Sequence, residues 1–153
     1  MFRSRLARVI LVPAALLIPA SIATVAFSSV SSAASPATTK AVKCTTLTGT
    51  IGATGTLSGC SDTANTGGGG TFPTTGASPA TIVWNSGGKT KASFSYTGGS
   101  GLCPAGQTQE DVTGKVLKNK GAAKSIKIGP IKGTVCLNGA SLSLAPGTKF
   151  VIG

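Results

Sequence analysis

Apolar and polar residues fall into three regimes along the chain. From Val9 to Phe27 the run VILVPAALLIPASIATVAF carries no charge, and from Ser35 to Lys43 the residues are small and polar. Beyond that, apolar residues recur at every second position and nowhere at helical spacing, which predicts strands and no helix. Ala92, Phe94 and Tyr96 alternate with Ser93, Ser95 and Thr97, placing the aromatics on one face of a strand and the hydroxyls on the other. Ile126 and Ile128 about Lys127 repeat the pattern over Ser125 to Ile128. Leu47, Gly49 and Ile51 against Thr46, Thr48 and Thr50 are a third case.

Turn chemistry links these strands. Asn138-Gly139 lies between GTVCL and ASLSL, and the pair tolerates the positive φ of a two-residue hairpin loop. That loop sets Leu137 opposite Ala140 and Val135 opposite Leu142. It sends Cys136 to the other face with Ser141 and Ser143, so a disulfide partner must come from a segment crossing that side. Thr81 to Trp84 and Thr90 to Tyr96 form a second expected hairpin around Asn85 to Lys89. An odd loop length is preferred there, because an even one would set Ile82 and Trp84 opposite Lys89 and Lys91. Val112 to Leu117 with Ser125 to Ile128 is a third expected pair, and Phe150 and Ile152 close the chain. Gly67 to Gly70 with TFPTTGASP reads as a mobile surface loop. The sum is an all-β domain of seven to nine short strands, an antiparallel sandwich or small barrel.

The first regime is a leader. Arg3, Arg5 and Arg8 precede the apolar run, and small residues follow it, with Ser32 and Ala34 at the positions a signal peptidase reads. The expected organisation is therefore residues 1–34 as a cleaved signal peptide, 35–43 as a flexible tether and 44–153 as one β domain. No membrane-spanning segment is expected in the mature chain, and the product is expected to be secreted or associated with the cell envelope.

Export changes the meaning of the four cysteines, Cys44, Cys60, Cys103 and Cys136. In an oxidising compartment an even count predicts two disulfides, and Cys44 with Cys60 and Cys103 with Cys136 is the favoured pairing. No close CxxC-like pairs support a zinc site. The staples matter because only 22 of the 119 residues after Ala34 are Leu, Ile, Val or Phe, a thin supply of core.

Charge narrows the function classes. The chain has 14 Lys and Arg against 3 Asp and Glu and no His, which removes the parts of most acid–base and metal sites. Lys115, Lys118, Lys120, Lys124, Lys127 and Lys132 fall in 18 residues without an acid. Such a basic surface attracts anionic envelope polymers or lipid headgroups, or it serves solubility alone. Arginine is absent after Arg8, so bidentate phosphate reading and specific nucleic-acid recognition are not expected. No cofactor or metal is expected, and the chain is expected not to be an enzyme.

Two short motifs resemble catalytic signatures. Gly87-Gly88-Lys89-Thr90 ends like a phosphate-binding loop, but Val83 stands where its first glycine belongs. Ser86-Gly87-Gly88-Lys89 fits S-x-x-K, yet two glycines oppose the helical turn that chemistry needs. An unrecognised Ser/Lys hydrolase site is thus one alternative function. A carbohydrate-binding module using Trp84 as a stacking platform is another, although the alternation places Trp84, Phe94 and Tyr96 in the core. Asp62, Glu110 and Asp111 are the only carboxylates, and Glu110 and Asp111 point to opposite faces.

The segments Leu57-Ser58-Gly59-Cys60, Gly70-Thr71, Ile82 to Gly87, Val135-Cys136 and Pro146-Gly147-Thr148 together resemble a loose group of small secreted actinobacterial proteins of mycobacterial type. That group has no assigned function. The resemblance covers most of the mature chain, implies export and a compact β domain, and transfers no catalytic or binding residue.

Overall fold

Antiparallel pairing of chain neighbours runs from Thr46 to Leu144 in the computed structural model, which describes residues 39–153. The segments read as a signal peptide, together with 35–38 of the tether, lie outside the described residues. The strands are β1 Val42–Cys44, β2 Thr46–Thr50, β3 Thr54–Ser58, β4 Gly69–Pro73, β5 Ala80–Trp84, β6 Lys89–Gly99, β7 Thr108–Lys120, β8 Pro130–Asn138, β9 Ser141–Leu144 and β10 Phe150–Ile152. Strands β2 to β8 form a meander, and β9 pairs with both β8 and β2, closing an eight-stranded barrel. The lower half of β8 pairs with β10, which in turn pairs with β1. Closure leaves the barrel without a free strand edge.

Alternation decides which residues fill it. Leu47, Leu57, Phe72, Ile82, Trp84, Phe94, Val112, Val116, Ile131, Val135, Phe150 and Ile152 are buried. The large side chains fit because glycines stand opposite them. Gly55 faces Phe72 and Gly70 faces Trp84 in the strand registers, and a Cβ at Gly133 would strike the Phe150 ring. Small residues against large ones suit the narrow interior of an eight-stranded barrel, so a thin supply of apolar residues still yields a filled core.

Both disulfides are formed, Cys44 with Cys60 and Cys103 with Cys136. Cys136 faces away from the interior, as the hairpin parity requires, and the β6–β7 loop carrying Cys103 crosses over it. Leu102 donates its backbone N–H to Gln109 Oε1 at 2.8 Å, which fastens the same loop again.

Several sequence expectations need correction. Strand pairing starts before Cys44: Lys40 bridges Ile126, and β1 already occupies Val42–Cys44, so this part of the supposed tether belongs to the domain. The β8–β9 loop is Gly139-Ala140, with Asn138 paired to Ser141. Gly139 at φ 58 takes the positive angle at the first loop position, so asparagine need not supply one. The β5–β6 loop has three residues, Asn85 to Gly87, closed by Trp84 N–H donating to Gly88 O at 2.9 Å. Both slips move the register by two, so every residue keeps its face. Residues Ser125 to Ile128 do not form a strand. A 3-10 turn, Gly121–Ser125, leads there, and β7 pairs instead with β8. Ile126 plugs one end of the barrel while Ile128 is exposed. A one-turn helix α1, Thr63–Thr66, packs at that same end, so the chain does contain short helical turns. Gly69 and Gly70 lie in β4 and are buried; they are not a mobile loop.

Candidate functional site

Two triplets of the same form, Lys89-Thr90-Lys91 on β6 and Lys118-Asn119-Lys120 on β7, stack in register. Alternation turns Thr90 and Asn119 inward and all four lysines outward. Lys89 therefore lies directly opposite Lys120, and Lys91 directly opposite Lys118. With Thr81 from β5 they line a cleft of about 290 Å³ that has no acidic residue in its wall. A bulge at Leu117 follows at once, and it keeps Lys118 and Lys120 on the outer face while restoring the inward alternation at Val116.

The register is held from inside. Trp84 Nε1 donates to Thr90 Oγ1 at 2.8 Å, Thr90 Oγ1 donates to Asn119 Oδ1 at 2.7 Å, and Asn119 Nδ2 donates to the carbonyl of Ile126 at 2.7 Å. Like charges directly opposed on a sheet cost roughly 0.2–1 kcal/mol a pair. Each such hydrogen bond returns about 0.5–1.5 kcal/mol net. At the middle of each range three such bonds outweigh two such repulsions, and the register they hold brings four lysines to one cleft.

Of the six lysines singled out from the sequence, only Lys118 and Lys120 belong to this cleft. Lys115 lies opposite Ser93 and Pro130, Lys124 is in the 3-10 turn, and Lys127 donates its N–H to Lys40 O. Lys132 shares a separate shallow cleft with Lys149 and Asp111. Lys89 and Lys91 complete the cleft although they lie far from the others in sequence. The repeated K-x-K spacing on neighbouring strands was the available signal.

The other candidate motifs are placed structurally. Ser86 Oγ donates to the Asn65 carbonyl at 2.6 Å and tethers the β5–β6 loop to α1, while Lys89 points to solvent on β6. Thus the S-x-x-K and GGKT residues span a hairpin loop and strand with no helix after them. Trp84 is 1% exposed and offers no stacking face. Tyr96, expected in the core, is instead 45% exposed, because its inward-facing position lies at the open mouth of the barrel. Asp62 accepts the Asn65 side-chain amide at 2.7 Å near the plugged end, Glu110 lines the open mouth, and Asp111 accepts Thr134 Oγ1 at 2.8 Å on the outer wall. The three carboxylates occupy three separate places. All four cysteines are consumed by disulfides, and no group of three His, Cys, Asp or Glu converges among the described residues.

Compared with protein-family models, curated proteins and solved structures, the chain has no match. No helix among the described residues is long and apolar enough to cross a membrane.

Proposed function

We propose that this is an exported, non-enzymatic β-barrel domain that works at or outside the cell envelope by contact with anionic envelope polymers or lipid headgroups. The observation that carries the reading is the two pairs of opposed lysines, Lys89 with Lys120 and Lys91 with Lys118, on a register held by inward-facing hydrogen bonds. Four ammonium groups in one acid-free cleft present a concentrated positive field, and an anion seated there relieves their mutual repulsion. Lysine supplies point charges without fork geometry, which fits a polyanion recognised by charge more than by shape. The two disulfides support a working life in an oxidising compartment.

The test compares retention on isolated cell envelope, and on phosphatidylglycerol vesicles, across a salt series. Retention should fall steeply as salt rises, and substituting Lys89, Lys91, Lys118 and Lys120 by Gln should remove most of it. Substituting Lys115, Lys124, Lys127 and Lys132 should cost less. Retention that ignores salt, or that survives loss of the four clustered lysines, overturns the reading.

A further inference from the structure

The end of the barrel opposite α1 is open and forms a cup of about 300 Å³. Its walls include Ile51, Tyr96, Val135, Leu137 and Leu142, and Glu110 is the one charged residue that lines it. Strand parity puts Glu110 there. Val112 and Val116 face inward on β7, so residue 110 shares their face, while Gln109 points outward beneath the Cys103 loop and Asp111 outward to Thr134.

The cup has a floor. Phe72 stacks with Phe94 at 5.9 Å between centroids and with Phe150 at 6.4 Å, and only about 10 Å³ of space remains among these rings. A ligand can therefore enter the mouth but cannot pass through the barrel. The volume is about twice the ~150 Å³ apolar void that accepts benzene, which suits a body of two fused rings. At the rim Ile51 is 47% exposed and Tyr96 45% exposed, so two large apolar groups stand uncovered beside the opening.

A carboxylate standing among apolar walls gives an ammonium a charge-assisted partner. The lining residues supply no cation, although the chain carries eleven lysines after Ala34 and three carboxylates. We propose that the cup binds a small apolar molecule bearing one protonated amine, with the ammonium on Glu110 and the apolar body against Tyr96, Val135, Leu137 and Leu142. A few convergent polar atoms in an otherwise apolar concavity are the usual means of orienting such a ligand. This site is separate from the lysine cleft and selects the opposite charge, so either can fail without the other.

The experiment titrates 1-naphthylmethylamine at neutral pH into the folded, disulfide-intact protein and follows backbone amide shifts. Saturable shifts are expected at Ile51, Tyr96, Glu110, Leu137 and Leu142. Glu110→Gln should weaken binding about tenfold or more, since it removes a charge-assisted contact. Ile51→Ala, in an exposed turn that tolerates truncation, should weaken it a few-fold through lost apolar contact. The anionic isostere 1-naphthoate should leave the cup residues unshifted. Absence of saturation up to millimolar amine, unchanged affinity in both variants, or equal binding of 1-naphthoate at the cup would overturn the proposal.

Discussion

Thr90 and Asn119 face each other inside the barrel, the threonine hydroxyl donating to Asn119 Oδ1 at 2.7 Å. One hydroxyl thereby joins Trp84 to the end of β7 and holds the outward lysines opposite one another. The interior hydrogen bonds and the exterior charge cluster are two consequences of a single register.

Replacing Thr90 by Val keeps the shape and removes both hydrogen bonds, leaving the Trp84 N–H and Asn119 Oδ1 without that partner. The expected loss is about 1–3 kcal/mol, read from the denaturant midpoint. Thr90→Ser should recover most of it. Equal stability of the Val variant and the parent would show that the relay is not what fixes the register.

Gly70 offers a test of how the core is filled. A Cβ there would lie 2.9 Å from Trp84 Cε3 and 2.8 Å from the carbonyl of Val83, neither of which can retreat. Gly70→Ala should cost about 1–3 kcal/mol by overpacking, despite the higher strand propensity of alanine. Thermal unfolding of the variant measures it, and a gain in stability would refute the close packing.

The disulfides separate residues by 16 and 33 positions. Chain-entropy arithmetic assigns about 3 kcal/mol to Cys44–Cys60 and about 4 kcal/mol to Cys103–Cys136. Converting Cys103 and Cys136 together to Ser should therefore destabilise more than the Cys44 and Cys60 double variant, and should also loosen the β6–β7 loop. Hydrogen exchange at Leu102 reports the loop, and alkylation of the native protein should find no free thiol.

Tyr96 is the single tyrosine of the chain, so its titration can be followed directly by phenolate absorbance. Burial of part of the ring raises its pKa above 10.0. A raised folded value means the fold favours the neutral phenol. Its contribution to stability is intact below about pH 10 and is lost as pH climbs through the higher folded value. The folded protein should ionise later than the protein in denaturant; coincident curves would place the ring fully in solvent.

Much of the fold is legible without coordinates, and particular elements show why. The period-two pattern of Ala80 to Trp84 and Thr90 to Phe94 assigns faces correctly even though the loop between them is two residues shorter than expected, because parity survives a shift of two. Asn138-Gly139 behaves likewise: the sheet faces hold while the loop moves one position along. Gly69 and Gly70 misled for the opposite reason. Glycine signals flexibility when only the neighbours in sequence are considered, yet the space beside Gly70 is filled by Trp84 from the next strand and that beside Gly69 by the Leu57 carbonyl. Ile126 and Ile128 alternate like a strand, but Ile126 closes the barrel end and its backbone carbonyl is taken by Asn119.

The candidate site was less legible. Six lysines crowd between Lys115 and Lys132, and only Lys118 and Lys120 of them join the four-lysine cleft. Their partners Lys89 and Lys91 come from the preceding strand, and Leu117 has to bulge for the four to meet.

By itself the amino-acid sequence determined that the domain is built of strands, the face each residue presents in the strands it marks and a favoured pairing of the cysteines, because alternation and loop spacing are local properties of the chain. Only the tertiary structure decided that the sheet closes into a barrel, which end is plugged and which lysines converge. Those outcomes depend on how β2 and β9 meet across the whole domain, and on aromatic rings from one strand entering the space left by glycines on another. No window of neighbouring residues contains both partners of such a contact.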